Sequence, residues 1–364
     1  MVLSLFAHIL TFPYRLVLWL RHKCYDWGVF LPVSCNIPTL SIGNIGVGGT
    51  GKTPHVELFL RLLGEDVPMA MLSRGYKRSS KGFRYVTPDD SAGQAGDEPL
   101  QIKRKFPSVV VAVDANRIEG IRRIQHDHPH IKLIVLDDAF QYRRLKPSCS
   151  ILLSDYNRPY TQDLLLPFGR LRDLPSQASR ADMIIVTKAP PDLSSEEREK
   201  QSALLKPTEN QQLLFSYYLY GTPLPLFPEA VASHPGSCVS TGALVVTGIA
   251  NPTPFLQEIA KKSPVLEHLK FPDHHRFTKK DVQRINALII KHPTSTVYTT
   301  EKDAMRLLEL YGLSEQTKAA LYYIPVEVEF CTADPHRSAT SSNSSGTRNG
   351  SFSVTNAIRI SLKL

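Results

Sequence analysis

The run Gly46-Val47-Gly48-Gly49-Thr50-Gly51-Lys52-Thr53 fits the pattern G-x-x-x-x-G-K-[ST] at every position. Before it, Pro38 to Asn44 reads as a strand entering a turn. After it, Pro54 to Leu63 carries apolar residues at helical spacing. Strand, glycine loop and helix in that order make a phosphate-binding loop. The glycines let successive backbone N–H groups turn inward around phosphate oxygens, and the helix start adds partial positive charge. In such a loop Lys52 reaches the β- and γ-phosphates of a nucleotide and the Thr53 hydroxyl ligates Mg²⁺.

Around this loop, residues 38 to about 190 alternate between short apolar runs and helical stretches. Residues 66–73, 109–114, 131–138, 151–155 and 181–188 read as strands, and Arg117 to His126 as a helix between two of them. Continuous apolar runs are what strands covered on both faces look like, so the spacing predicts a P-loop NTPase-like doubly wound parallel sheet of the α/β class. Prolines 223, 225, 228 and 235 mark a connection over 216–240. A second, smaller α/β domain is expected over 241–328, with strands at 243–247 and 297–300 and helices at 253–262 and 304–310. The kinase-like domain is thus expected over 31–215. The Ser- and Thr-rich stretch within 329–364 has too few apolar residues to offset its ordering entropy and reads as a disordered tail. A length of 364 residues suits two domains.

Lys and Arg number 43 against 34 Asp and Glu, a net charge of +9 that favours anionic partners. No nucleic-acid recognition motif accompanies that charge, so nucleic acid is not an expected partner. The five cysteines are scattered, with no C-x-x-C pair, which suggests neither zinc nor a disulfide framework. Residues 1–30 are rich in Leu, Phe, Ile and Trp but are broken by His8, Pro13 and Arg15. A signal peptide would carry its basic residues first, and a spanning helix would need about 20 nearly unbroken apolar residues. Two readings remain, of which the membrane-associating helix is the expectation for residues 1–30. One is an amphipathic helix lying on a membrane, with Trp19 inserted and Arg15, Arg21 and Lys23 at lipid phosphates. The other is a helix packed on the protein core.

Asp137 and Asp138 end an apolar strand, the position from which an acid holds Mg²⁺ beside a P-loop; turn or capping residues would read the same way. Asp114 also sits at a strand end, where it could accept a proton from an alcohol or cap the helix that starts near Arg117. Asp273-His274-His275 lies in a polar turn, where histidine serves as a base, a base's partner or a plain surface residue. Arg74, Tyr76, Arg170 and Arg172 fall in loop clusters that suit a substrate phosphate or simple solvation.

Several motifs in order carry a resemblance: Ile45 to Pro54, Ser73-Arg74-Gly75-Tyr76, Gly96-Asp97-Glu98-Pro99, Asp137-Asp138-Ala139-Phe140-Gln141, Arg180-Ala181-Asp182, Phe271-Pro272-Asp273-His274 and Thr300-Glu301-Lys302-Asp303-Ala304. Together, over roughly residues 1 to 325, they resemble the tetraacyldisaccharide 4'-kinase (lipid A 4'-kinase) family. That resemblance implies ATP and Mg²⁺ as cofactors and the 4'-hydroxyl of a lipid A disaccharide 1-phosphate as acceptor. It implies a site between two domains, and a peripheral location at the cytoplasmic face of the inner membrane. It also implies Asp114 as general base with His274 as its partner, Lys52 as a catalytic lysine, and Thr53, Asp137 and Asp138 at the metal.

Two positions depart from the pattern: Ala139 stands where glycine is common and Tyr142 where histidine is common. The tail after Phe330 resembles nothing expected of the family, which usually ends in a helix. A partitioning-type ATPase would carry a lysine where this chain has Val47, and a GTPase would show an N-K-x-D motif, which is missing after Thr187-Lys188. A nucleotide-dependent adaptor at a membrane, or another membrane-associated P-loop NTPase, is the rival reading.

Overall fold

β1 (Thr39–Gly43), the strand that feeds the glycine loop, is buried along its whole length. It lies at the centre of the larger sheet, parallel to β5 (Leu133–Asp137) on one side and β6 (Cys149–Asp155) on the other. The computed structural model describes residues 2–64, 66–232 and 242–331, with Asn356, Ile358, Arg359 and Leu362. Outward from β5 run β2 (Met69–Ser73), β4 (Val110–Val113) and the short antiparallel β3 (Arg84–Tyr85). Outward from β6 run β7 (Met183–Thr187), β8 (Gln212–Tyr220) and the antiparallel β14 (Val326–Phe330). Because β1, β5, β6, β2, β4, β7 and β8 are parallel, their C-terminal ends share one edge, and an open sheet of this kind binds ligands there.

The helices follow their local signals. α1 (Val2–Asp26) comes first, and α2 (Lys52–Gly64) starts on the P-loop lysine and buries Phe59, Leu60 and Leu63. After α3 (Ala92–Ala95), α4 (Asp97–Lys105) begins at Gly96, whose φ of 94° suits only glycine. α5 (Arg117–Asp127) is capped by the Asn116 side chain, and α6 (Ser195–Leu205) by a Ser194–Glu197 capping box.

The second unit is a five-stranded sheet in the order β11 (Val265–Lys270), β10 (Ala243–Thr247), β12 (Thr296–Thr300), β13 (Leu321–Ile324) and β9 (Leu224–Pro225). α7 (Pro228–Ala232), α8 (Thr253–Ala260), α9 (Lys279–Lys291), α10 (Glu301–Leu307) and α11 (Glu315–Ala320) belong to it. One apolar core runs through both units and includes Leu100 and Ile102 of α4 with Ala304 and Leu307 of α10.

Two expected boundaries are corrected. Ser216 to Tyr220 is not linker but the second half of β8, paired with β14 from Ser216↔Phe330 to Tyr220↔Val326. The prolines that suggested a connection begin only at Pro223, after an aromatic run well suited to a strand. β9, inside the expected linker, already pairs with β13 of the second sheet. Glu329 and Phe330 belong to β14 rather than to the tail. Near the chain end Ile358 and Leu362, four apart and helical, are buried in the apolar core, so that part of the expected disordered tail is packed. Residues 233–241, Cys238 among them, and 332–355 lie outside the described residues.

Candidate active site

The P-loop is held by contacts that leave its amides facing a cleft. Gly48 and Gly51 have φ of 106° and 86°. A Cβ on Gly51 would collide with the Tyr218 hydroxyl of β8, so this position excludes any side chain. His55, fully buried on α2, contacts the Gly51 carbonyl through Nδ1 at 2.7 Å and Ser216 Oγ through Nε2 at 2.9 Å. Burial pushes its pKa down to about 4, because the cation would have no water. Asn44 Nδ2 donates to Thr50 Oγ1 at 2.6 Å, and Lys188 bridges the Gly49 carbonyl and Asp155. All eight loop residues line a cleft of about 430 Å³ between the two units.

The acidic pair at the end of β5 divides its work. Asp137 is 2% exposed. Its Oδ2 accepts from Ser73 Oγ at 2.9 Å, while Oδ1 is buried without a hydrogen-bond partner among the described residues. Burial, with Glu98 and Asp138 nearby, pushes its pKa up to about 7. Asp138, with φ 48°, turns toward the loop. It accepts from Arg172 through both oxygens, one bond measuring 3.0 Å, and lies 3.8 Å from Lys52 Nζ. Lys52 and Arg172 hold its pKa below the usual carboxylate range against the cost of burial. The orphaned Asp137 oxygen, with Thr53 and Asp138 lining the cleft, fits a hydrated Mg²⁺ that takes one or two carboxylates and its remaining oxygens from phosphates. Among the described residues no cluster of three or more His, Cys, Asp or Glu stands ready as a self-sufficient metal cage, and such an ion does not need one.

His274 does not meet Asp114. Its Nδ1 lies 3.1 Å from Asp97 Oδ2, at the start of α4, and Lys302 Nζ lies 3.0 Å from its Nε2. An ammonium offers only donors, so Nε2 carries the lone pair and Nδ1–H donates to Asp97. The bond from His274 and the charges of Arg306 and Lys302 outweigh burial and keep the Asp97 carboxyl below its ordinary value. The Tyr76 ring meets His274 edge-on, with centroids 5.1 Å apart.

The structure does not bring Asp114 to His274, its expected partner, and holds it as a turn residue. Asp114 is buried, its Oδ1 accepts the Asn116 N–H at 2.9 Å, and its carbonyl receives Arg117. The sequence offered a strand-end acid; the backbone turns that acid inward to shape the entry to α5. Its neighbour Arg117, which sequence reasoning passed over, is buried with NH2 3.4 Å from the Asp137 carbonyl.

The expected substrate arginines also land differently. Arg172 is committed to Asp138 and to Asn44 Oδ1, at 2.7 Å, so it serves the acid pair rather than standing free. Arg170 lies beside Gly48, and its carbonyl accepts the Val47 N–H at 2.7 Å. Arg74 and Tyr76 are exposed, and Tyr76 lines the cleft.

A P-loop shaped for a nucleotide, with His274, Lys302 and Glu98 lining the same cleft, fits the class of P-loop kinases. Comparison with known proteins narrows the class. The sequence profile of the tetraacyldisaccharide-1-P 4'-kinase family matches residues 3–342, and the chain belongs to that family. It is 43% identical over 327 residues to a tetraacyldisaccharide 4'-kinase of Bacteroides thetaiotaomicron, covering 87% of this chain and 86% of the relative. It is 42% identical over 320 residues to the Porphyromonas gingivalis protein of the same name, covering 85% and 88%. The fold is that of Aquifex aeolicus LpxK, solved in complex with ATP: TM-score 0.66 and 23% identity over 95% of this chain and 97% of that one.

Proposed function

We propose that this chain transfers the γ-phosphoryl group of ATP to the 4'-hydroxyl of a tetraacyldisaccharide 1-phosphate, a step of lipid A assembly. Family membership supports the reaction, and His274, which lines the same cleft as the P-loop and is held by Asp97, carries the assignment of the base to that pair. The 4'-oxygen attacks the γ-phosphorus, the bond to the β–γ bridging oxygen breaks, and ADP leaves. The Asp97–His274 pair accepts the hydroxyl proton. The Nδ1–H of His274 keeps Asp97 oriented and ionised until that transfer. Lys52 and the loop amides hold the β- and γ-phosphates, and Lys302 adds positive charge on the opposite wall of the cleft. Thr53, Asp137 and Asp138 would hold Mg²⁺, which supplies neutralisation of phosphate charge when bound.

The same reading places the protein at the cytoplasmic face of the inner membrane, resting on it through α1. Leu16, Val17, Trp19 and Leu20 are exposed, and among the described residues no helix is long and apolar enough to cross a membrane. Arg21, expected to meet lipid phosphate, instead donates to the Gln141 carbonyl at 2.8 Å.

The test is transfer of labelled γ-phosphate from ATP to purified acceptor in detergent micelles. Product from the parent, lost in Lys52→Ala and Asp97→Asn, supports the reading. A folded, ATP-binding parent that makes no product ends it.

A further inference from the structure

The face of α1 turned toward the protein is built into the site. His22 is 2% exposed and Asp173 0% exposed, and they meet at 2.6 Å through Nε2 and Oδ1. Arg143 NH1 lies 3.0 Å from His22 Nδ1 and also donates to the His22 carbonyl at 3.2 Å. A guanidinium has no acceptor, so Nδ1 carries the lone pair and Nε2–H donates to Asp173. Asp173 directly follows Arg172, the residue that grips Asp138. Hydrogen bonds fix this short segment from two sides. On the site side, the Arg172 N–H donates to the Ile45 carbonyl at 3.0 Å, and its guanidinium reaches Asp138 and Asn44. On the helix side, Tyr14 OH donates to the Arg172 carbonyl at 3.0 Å and His22 holds Asp173.

We propose that His22 is a positioning residue for phosphoryl transfer, acting through Asp173 to hold Arg172 on Asp138. The proposal rests on the kinase reading above and extends it: the helix assigned to the membrane also forms the back wall of the acid pair. A buried neutral donor on a buried carboxylate is a stiff link, because neither group has water as an alternative partner. The aliphatic face of α1 could anchor the protein with any residue at position 22. The donor at Nε2 matters only if the Arg172 segment must be held.

The experiment compares parent, His22→Leu, His22→Gln, Leu18→Ala and Arg172→Leu, with the His22→Leu/Arg172→Leu double variant, in the micelle assay. Leu18 is buried on the same helix and makes none of these polar contacts, so Leu18→Ala loosens α1 without touching the link. His22→Leu should lower kcat about 10- to 100-fold, the loss expected when a reacting constellation is misplaced by about 1 Å. Its KM for the lipid should stay within about twofold, since ground-state binding is not touched. His22→Gln, which restores a donor, should recover most of kcat, and Leu18→Ala should keep it. The double variant should be no slower than Arg172→Leu alone, because both substitutions break one chain of contacts. Hydrogen exchange of the peptide containing Arg172 reads the same link without turnover and should quicken in His22→Leu but not in Leu18→Ala. An unchanged kcat with unchanged exchange in His22→Leu overturns the proposal, as does an equal loss in Leu18→Ala or strict additivity with Arg172→Leu. A parent that makes no product counts against the kinase reading, and the exchange data still decide the positioning role.

Discussion

His274 and Asp97 stand 177 residues apart in sequence and 3.1 Å apart in the folded chain. One comes from the loop after β11, the other from the first turn of α4, so the contact bridges the two units beside the cleft that His274 lines. Around it Lys302 reaches Glu98 at 3.2 Å, and Arg306 reaches Asp97 at 3.5 Å. The second unit thereby delivers an imidazole and two cations to a carboxylate of the first. On the reaction proposed above, that placement gives the smaller unit a share in the chemistry.

Replacing either member of the pair should cost turnover and leave nucleotide binding in place. Asp97→Asn and His274→Ala are each expected to lower kcat by about 10²- to 10⁴-fold, the usual worth of a positioned base. ATP affinity, measured by calorimetry, should change little, because neither residue belongs to the loop. Asp114→Asn should keep most of the activity, since the amide oxygen still accepts the Asn116 N–H. A larger kcat loss in Asp114→Asn than in Asp97→Asn would reverse the assignment.

Gly51→Ala should abolish ATP binding. The new Cβ meets the Tyr218 hydroxyl, and the φ of 86° is itself strained for alanine. Pairing it with Tyr218→Ala removes the collision but not the strain, so the double variant should regain only part of the affinity. The strain term alone is of order 1–2 kcal/mol. Full recovery in the double variant would mean that the clash is the whole effect.

The interior of the larger sheet was legible because strands covered on both faces are continuous apolar runs, and β1, β2, β4, β5, β6 and β7 all read that way. Its edge was not. β8 and β14 alternate more exposed residues, and they pair across more than a hundred residues that build the second unit between them. The P-loop and the acid pair were legible as local motifs. The base proposed here was not, because Asp97 in a first helical turn looks like ordinary dipole compensation. Its partner lies far along the chain, while Asp114 stands at a strand end, where a catalytic acid is expected, and the fold turns it into the entry to α5. Arg172 shows the same limit from the other side: a loop arginine announces a phosphate, and only the fold reveals that Asp138 already occupies it.

Lys105 is expected to be a stability residue at the seam. Its ammonium lies 2.7 Å from Glu57 of α2 and 3.0 Å from Glu301 of α10, and both carboxylates are largely buried. Burial and the neighbouring Glu301 push the Glu57 carboxyl up to about 7, even with Lys105 beside it. Lys105→Met leaves the two acids facing each other without a cation, a loss expected to cost about 3–5 kcal/mol. Urea unfolding at pH 8 measures it. Adding Glu57→Gln to Lys105→Met should recover part of the loss, because one uncompensated charge is then gone. A Lys105→Met variant as stable as the parent would show that the triad contributes nothing net.

His55 should make the protein acid-sensitive in a defined window. In the folded chain its pKa is about 4, against 6.5 for a free imidazole. Between those values the unfolded chain binds a proton that the folded chain refuses, so stability falls as pH drops from about 6.5 toward 4. The full effect is about 3 kcal/mol, from a shift of roughly two and a half units at 1.36 kcal/mol each. His55→Gln, which can contact the Gly51 carbonyl and Ser216 without titrating, should flatten the decline. Urea midpoints of parent and variant, followed from pH 7.5 to 4.5, should diverge below pH 6.5; parallel curves would place the acid sensitivity elsewhere in the fold.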